Sequence, residues 1–371
     1  MLITIDTVLV KLASRCNLNC DYCYVYQMGD EGWRNQPKRM AGGTVEELAS
    51  ALGNLVARQK LPLSVVFHGG EPLLIGSAAF EHACGTLRQA IGRESGLHLQ
   101  TNGVLLTNEV LDICERFDVG ISISMDGPAA VHNRHRPDHS RRGSHAKIVK
   151  ALERVCVHPS GPRLLTGLLA VIDLQSDPAD VYAFFKMTGT PSVDFLYRDG
   201  NHDLLPPGKS SFETAEYGEW MVRLLDIYLA DPAPIRIRVL DDMIKLLLGG
   251  RGRKEGIGLE NYGILVIETD GTIAKNDTLK SARSADRFED DWTIQRLDVL
   301  LSSDAFLAYY RSQSPLSETC LGCADLAVCG GGMPAHRWSK ERGFDNPSVF
   351  CADQKRLVAA MREHINRRVA A

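Results

Sequence analysis

Seven of the ten cysteines fall into two sets, Cys16, Cys20 and Cys23 near the start of the chain and Cys320, Cys323, Cys329 and Cys351 near its end. Thiolates grouped this way hold metal. The first set, C-x3-C-x2-C, supplies three ligands within eight residues. A structural zinc ion wants four ligands in a closed tetrahedron, so this set would need a distant His to complete a zinc knuckle. Three thiolates on a four-iron cluster instead leave one iron open to bind a substrate directly. Such a cluster can reach the low end of a span of roughly −700 to +450 mV, where one-electron reduction of a sulfonium becomes feasible. The second set, C-x2-C-x5-C-x21-C, is closed, and on spacing alone zinc and a 4Fe-4S cluster satisfy it equally. Cys84, Cys114 and Cys156 are scattered and are expected to be small buried apolar side chains.

The chain has 371 residues, enough for about two units with a sizeable core. Its net charge of −4 argues against a broad nucleic-acid surface and leaves small molecules or peptides as partners. In the opening MLITIDTVLVKLASR the basic residues follow the apolar run, unlike an export signal, and no stretch of about 20 apolar residues occurs. A cytoplasmic protein with reduced thiols and no membrane span is expected.

The elements that must position the cysteines follow a repeating pattern. Strands are expected at Thr7–Ala13, Ser64–Phe67, His98–Gln100, Gly120–Ser124, Leu164–Ile172 and Ser192–Leu196. Helices are expected between them at Thr44–Arg58, Ser77–Arg93, Asn108–Phe117, Ser144–Val155 and Pro178–Met187. Six alternating units make an α/β parallel sheet, a partial or complete barrel. SRCNLNC, HGGEP, TNG, SMDGP and RDGNHD all follow strand ends, the edge at which parallel α/β folds assemble active sites. Beyond residue 205 the pattern changes to helices at Phe212–Leu229 and Leu240–Leu248. A hairpin, Gly263–Glu268 and Thr272–Ala274, then turns at Thr269-Asp270-Gly271. The expected division is therefore 1–205 and 206–371.

The loop CNLNCDYC, with Gly69-Gly70-Glu71-Pro72 after the second strand, strongly resembles the radical S-adenosylmethionine (SAM) superfamily. The resemblance implies a partial (β/α)6 barrel, a 4Fe-4S cluster on Cys16, Cys20 and Cys23, bound SAM, and a reducing donor of flavodoxin or ferredoxin type. Tyr22 offers an aromatic surface to an adenine ring. Gly69 and Gly70 let backbone approach the methionine moiety, and the Glu71 carboxylate can receive its ammonium group. Asn102, Ser122 and Arg134 correspond to positions that contact SAM or order its pocket.

Downstream of such a barrel, the second cysteine set resembles the auxiliary-cluster extension called SPASM or, when reduced, twitch. A second auxiliary cluster would draw cysteines from the hairpin, yet residues 157–319 hold none. One auxiliary 4Fe-4S cluster is expected, whereas sulfatase maturases carry two. CGGGMPAHR, GFDNPSVFC and IETDGTIAKNDTLKSA resemble radical SAM maturases of ribosomal peptides, in particular the branch forming three-residue cyclophanes. That implies a precursor peptide in which an aromatic ring carbon is joined to a β-carbon. Thioether formation, epimerisation or a sulfatase-maturase-like oxidation are the alternatives. The glycine run at 330–332 reads as backbone packing near the cluster and His336 as a structural donor. Because the barrel motifs begin by residue 16, no added N-terminal peptide-recognition domain is expected. Asp277 follows the hairpin where sulfatase maturases place a catalytic Asp, and is the expected general base, its pKa raised by burial; a turn-capping role is the alternative.

Overall fold

The computed structural model describes residues 3–282 and 285–370, so Met1 and Leu2 of the apolar opening lie outside it. Its strands, in chain order, are β1 (Thr7–Ala13), β2 (Ser64–Gly69), β3 (Gly96–Thr101), β4 (Val119–Ser124), β5 (Leu165–Val171), β6 (Ser192–Leu196), β7 (Arg236–Ile237), β8 (Ile264–Ile267) and β9 (Ile273–Ala274). The chain folds as two compact units. One comprises the residues up to Met125, His132–Leu168 and Tyr262–Tyr310; the other comprises Asp126–Val131, Leu169–Asn261 and the residues from Arg311 onward. This differs from a division at 205, because the hairpin belongs with the N-terminal strands.

In the first unit the strands run β4-β3-β2-β1-β8-β9. All neighbours are parallel except β8 and β9. The helices Gly42–Gln59, Ser77–Ile91 and Asn108–Phe117 connect successive strands. β2, β3 and β4 alternate a fully buried apolar face, Val65 and Phe67 on β2 or Leu97 and Leu99 on β3, with a half-buried one. Phe67 meets Phe80 of the helix Ser77–Ile91, ring centroids 5.4 Å apart, so the apolar face is the helix side. Local chemistry sets the helix ends: Thr107 Oγ1 accepts from the Val110 amide to start Asn108–Phe117.

The hairpin was expected in the C-terminal domain. Instead β8 pairs in parallel with β1, Thr7 to Ile264 through Val10 to Ile267, and only β9 is antiparallel to it. The physical reason lies in β1, whose second edge must be hydrogen-bonded. Ile264–Ile267 is buried at every position and fits a fully covered strand.

In the second unit the order is β7-β6-β5, with Ser192 of β6 opposite Arg236 of β7. The helices Pro178–Met187, Glu216–Ala230, Arg238–Leu247 and Cys351–Ala370 complete it. Glu216–Ala230 and Cys351–Ala370 approach closely at Gly218, where a Cβ would lie 2.7 Å from the Asp353 carbonyl. Asp353 accepts from the Gly218 amide at 2.8 Å and pairs with the fully buried Lys209 at 2.7 Å. Cys84 and Cys114 are buried as expected, whereas Cys156 is exposed on the outer side of its helix. No helix among the described residues is long and apolar enough to cross a membrane.

Candidate active site and auxiliary metal centre

The first cysteine loop leaves the end of β1 and is clipped from the far side by residues 135–139. Asn19 donates to the Pro137 carbonyl at 2.8 Å and Asp21 to the His135 carbonyl at 3.1 Å, while His139 Nε2 lies 2.9 Å from the Cys16 carbonyl. A turn in which the Cys23 amide donates to Cys20 folds the last two cysteines back. Burial pushes the Cys16 thiol up to about 12, with Glu71, Cys20 and Cys23 adding to the shift. Three thiols thus share one electrostatic environment in which a metal, displacing their protons, would be favoured.

The donor sets decide which groups fit. Three thiolates suit a four-iron cluster with one open iron, and four thiolates close either a zinc or a 4Fe-4S site. Among the described residues the trio of His, Cys, Asp or Glu ligand atoms lying mutually within 4.8 Å is Asp112, Glu115 and His158, the two acids exposed and the His half-buried.

Gly69 and Gly70 are also required by the packing of the cysteine loop. A Cβ on Gly69 would lie 2.3 Å from the Ala13 carbonyl, and one on Gly70 would lie 2.1 Å from the Tyr26 hydroxyl and 2.2 Å from the Arg15 carbonyl. The pair lets the end of β2 press against the stem of the cysteine loop, with Gly70 and Glu71 donating to Ala13 and Arg15 at 3.0 and 2.9 Å. The Glu71 carboxylate is also not an open receptor. It is 0% exposed and accepts from the Leu73 amide, the Thr101 hydroxyl (2.7 Å) and the Asn102 amide (2.8 Å). Burial nonetheless pushes its carboxyl up to about 7. Asn102 Nδ2 in turn donates to Asn17 Oδ1 at 2.7 Å, tying TNG to the cysteine loop.

Across the half-buried face lies a polar row, one side chain per strand. Lys11 of β1 is opposite His68 of β2, and Gln100 of β3 is opposite Ser122 of β4. Asp277 closes the row. Its Oδ1 lies 2.7 Å from Lys11 Nζ, and its Oδ2 lies 3.8 Å from His68 Nδ1 and accepts from the Tyr24 hydroxyl at 3.4 Å. The turn-capping alternative falls to its neighbour, because Asn276 Oδ1 accepts from the Thr278 amide and hydroxyl at 3.0 Å. The raised pKa expected for Asp277 is corrected: burial does push it up, but Lys11, Lys280 and His68 outweigh this and hold the carboxylate below its usual range. The His68 pKa is itself held low by burial, against the pull of Asp277.

Arg134, expected near SAM, is exposed. The buried arginine of HNRHR is Arg136, whose guanidinium stacks 5.5 Å above the Tyr22 ring and pulls the Cys23 thiol down against burial. Sequence reasoning missed Lys11, His68, Tyr24 and Arg136. The signal for Lys11 was available, as a lone charge in the apolar strand TVLVKLA.

In the second unit the four remaining cysteines converge. Cys320 and Cys323 share one turn, Cys329 ends the helix Leu326–Cys329, and Cys351 begins Cys351–Ala370. Burial pushes the Cys329 thiol up to about 12, with Cys351, Cys320 and Cys323 adding to it. Gly330, Gly331 and Gly332 all have positive φ, and a Cβ on Gly330 would meet the Gly258 carbonyl at 1.9 Å. The run is backbone packing beside the thiols. His336 Nε2 lies 3.4 Å from Asp199 Oδ1 and its ring meets Phe350 edge-on.

Residues 10–169 match the family model of the Radical SAM superfamily. The chain is 23% identical to the cysteine-type anaerobic sulfatase-maturating enzyme of Clostridium perfringens, over 94% of each protein. It is 24% identical to the serine-type enzyme of Bacteroides thetaiotaomicron, over 90% of this chain and 83% of that one. Native anSMEcpe with bound AdoMet superposes with a TM-score of 0.82 at 22% identity, over 97% of this chain and 98% of that one. Streptococcus suis SuiB bound to its precursor peptide SuiA gives 0.61 at 14%, over 95% and 76%. The α/β fold with its mostly parallel sheet is that of native anSMEcpe.

Proposed function

We propose that this chain is a radical SAM enzyme and a peptide maturase that takes a hydrogen atom from a side chain of a ribosomally made precursor and forms a carbon–carbon cross-link, an aromatic ring carbon to a β-carbon. Asp277, held ionised by Lys11 at 2.7 Å beside Tyr24 of the first cysteine loop, supports the proton-handling part of the reading. Cys16, Cys20 and Cys23 would hold a 4Fe-4S cluster, which with SAM supplies a primary carbon radical by one-electron cleavage of a sulfonium. Cys320, Cys323, Cys329 and Cys351 would hold an auxiliary cluster, which supplies an electron acceptor.

The chain's own residues supply placement and proton handling. Asn102 and Glu71 fix the loop that faces SAM, and Arg136 fixes Tyr22. Net reaction removes two hydrogens: one leaves the β-carbon as an atom, and the ring hydrogen leaves as a proton after its electron has gone. A ring carrying that positive charge is strongly acidic. A carboxylate kept low by Lys11 suffices as its acceptor, and a low pKa keeps it ionised throughout the neutral range.

The cross-link rests on the wording of CGGGMPAHR and GFDNPSVFC and on cysteines sufficient for one auxiliary cluster. A second reading, oxidation of one side chain without a new link, is favoured by the match to sulfatase-maturating enzymes along 94% of the chain. Mass spectrometry of a co-expressed small peptide encoded beside the gene separates them. The cross-link gives a peptide lighter by two hydrogens whose fragments stay joined from ring to β-carbon. A mass loss without a link gives the oxidase, a sulfur–carbon link gives thioether formation, and unchanged mass with an inverted α-carbon gives epimerisation.

A further inference from the structure

Arg337 ends the turn Pro334–Arg337 and is 0% exposed, one of the largest fully buried side chains in the protein. Its Nη2 donates to the Gln313 carbonyl at 2.6 Å and to the Ser312 carbonyl at 3.4 Å. Its Nε and Nη1 have no acceptor. A buried guanidinium needs a counter-charge, since the cost of desolvating it alone is severe. Among the described residues no carboxylate pairs with it; burial works against its charge, and Cys320 and Cys329 as thiolates would favour it.

The surrounding motif residues hold that arrangement. Asn346 Nδ2 donates to the Arg337 carbonyl at 2.9 Å and to Ser339 Oγ at 3.0 Å, and the Val349 amide donates to the His336 carbonyl at 2.9 Å. GFDNPSVFC therefore braces the turn that ends in Arg337 while also delivering Cys351. These bonds fix the turn that carries Arg337 next to the stretch of chain that delivers Cys351.

We infer that Arg337 donates Nε–H and Nη1–H to the sulfur shell of an auxiliary 4Fe-4S cluster on Cys320, Cys323, Cys329 and Cys351, and so raises the potential at which that cluster accepts an electron. The inference rests on the auxiliary-cluster reading. Hydrogen bonds to cluster sulfurs and a neighbouring positive charge both stabilise the reduced, more negative state. Arg337 is thus a positioning and tuning residue, suited to a cluster that takes the electron released when a cross-linked ring regains aromaticity.

The test uses the full chain with Cys16, Cys20 and Cys23 replaced by Ala, so that the auxiliary site is the sole cluster, and titrates its EPR signal against potential. Arg337→Met and Arg337→Gln are expected to keep about four irons. Their midpoints should fall by at least the tenfold change in reduction equilibrium that corresponds to about 59 mV for one electron. Arg337→Lys, which restores charge without the fork, is expected to fall between them and the parent. Unchanged midpoints in iron-loaded neutral variants overturn the inference while leaving the cluster intact. One zinc and no iron in the parent overturns the auxiliary-cluster reading itself. Should neither neutral variant load iron, iron restored by Arg337→Lys sustains the counter-charge role, and iron still missing assigns Arg337 to the fold alone.

Discussion

The two cysteine sites are built on opposite principles. Around Cys16, Cys20 and Cys23 the neighbours are strand ends, and the ion pairs beside the loop are complete: Lys11 has Asp277 and Glu268, and Lys280 has Asp286 at 2.7 Å. Around Cys320, Cys323, Cys329 and Cys351 the neighbours are tight turns and glycine backbone, and the buried Arg337 keeps two donors without acceptors among the described residues. The first site offers three ligands and a polar row; the second offers four ligands and a positive charge. A site that must admit a substrate leaves a coordination position open, whereas one that only exchanges electrons closes its ligand set and tunes it.

Removing the cysteines of each site in turn breaks this comparison most directly. With Cys16, Cys20 and Cys23 replaced by Ala, 5′-deoxyadenosine formation should be abolished, and anaerobically reconstituted protein should drop from about eight irons per chain to about four. Replacing Cys323 or Cys329 should spare some SAM cleavage while cross-linked peptide disappears. Equal losses of cleavage in both variants would erase the division of labour. Chromatography of the nucleoside and iron analysis read the outcome.

A smaller effect sharpens the first site. Asp277→Asn keeps the shape and removes the charge, so cross-linked peptide should fall by roughly 10²- to 10⁴-fold while 5′-deoxyadenosine persists. Undiminished cross-linking would leave Asp277 as a partner of Lys11 and nothing more. Lys11→Met addresses the same pair through stability, since it strands a buried carboxylate; a loss of about 3–5 kcal/mol in denaturant unfolding is expected. The smallest effect concerns Glu71, whose carboxyl is raised from 4.5 to about 7. The folded protein then holds this proton more tightly than the unfolded chain, so stability is complete below pH 4.5 and declines as pH rises through 7. Melting of metal-free protein between pH 5 and 7.5 should show that decline, and Glu71→Gln should flatten it.

Much of this was legible in the sequence because it is local. The cysteine spacings, the strand ahead of Gly69 and the hairpin ahead of Asp277 are set by neighbours within a few residues. What escaped is pairing at a distance. The close fit of the GGEP glycines escaped because nothing in their own segment shows that Ala13 and Arg15 press on them. Arg134 was preferred to Arg136 because the sequence does not reveal that the helix Ala129–His135 stops just before the latter, turning it inward. The hairpin's local pattern specified two antiparallel strands but not that β1 would claim one of them. Asp277's low pKa was invisible for the same reason, its partner Lys11 being far away along the chain.

The parallel pairing of β1 with β8 also fixes an order of events during synthesis. Val10 is paired on one side by β2, whose residues follow soon after, but its other partner Ile267 emerges only after most of the chain has been made. At about 5–20 residues per second, Lys11 waits roughly 13 to 53 s on the ribosome for the counter-charge of Asp277. Over that interval β1 has one unpaired edge and Lys11 lacks the anion it meets in the finished fold, so until β8 arrives that edge is open to mispairing.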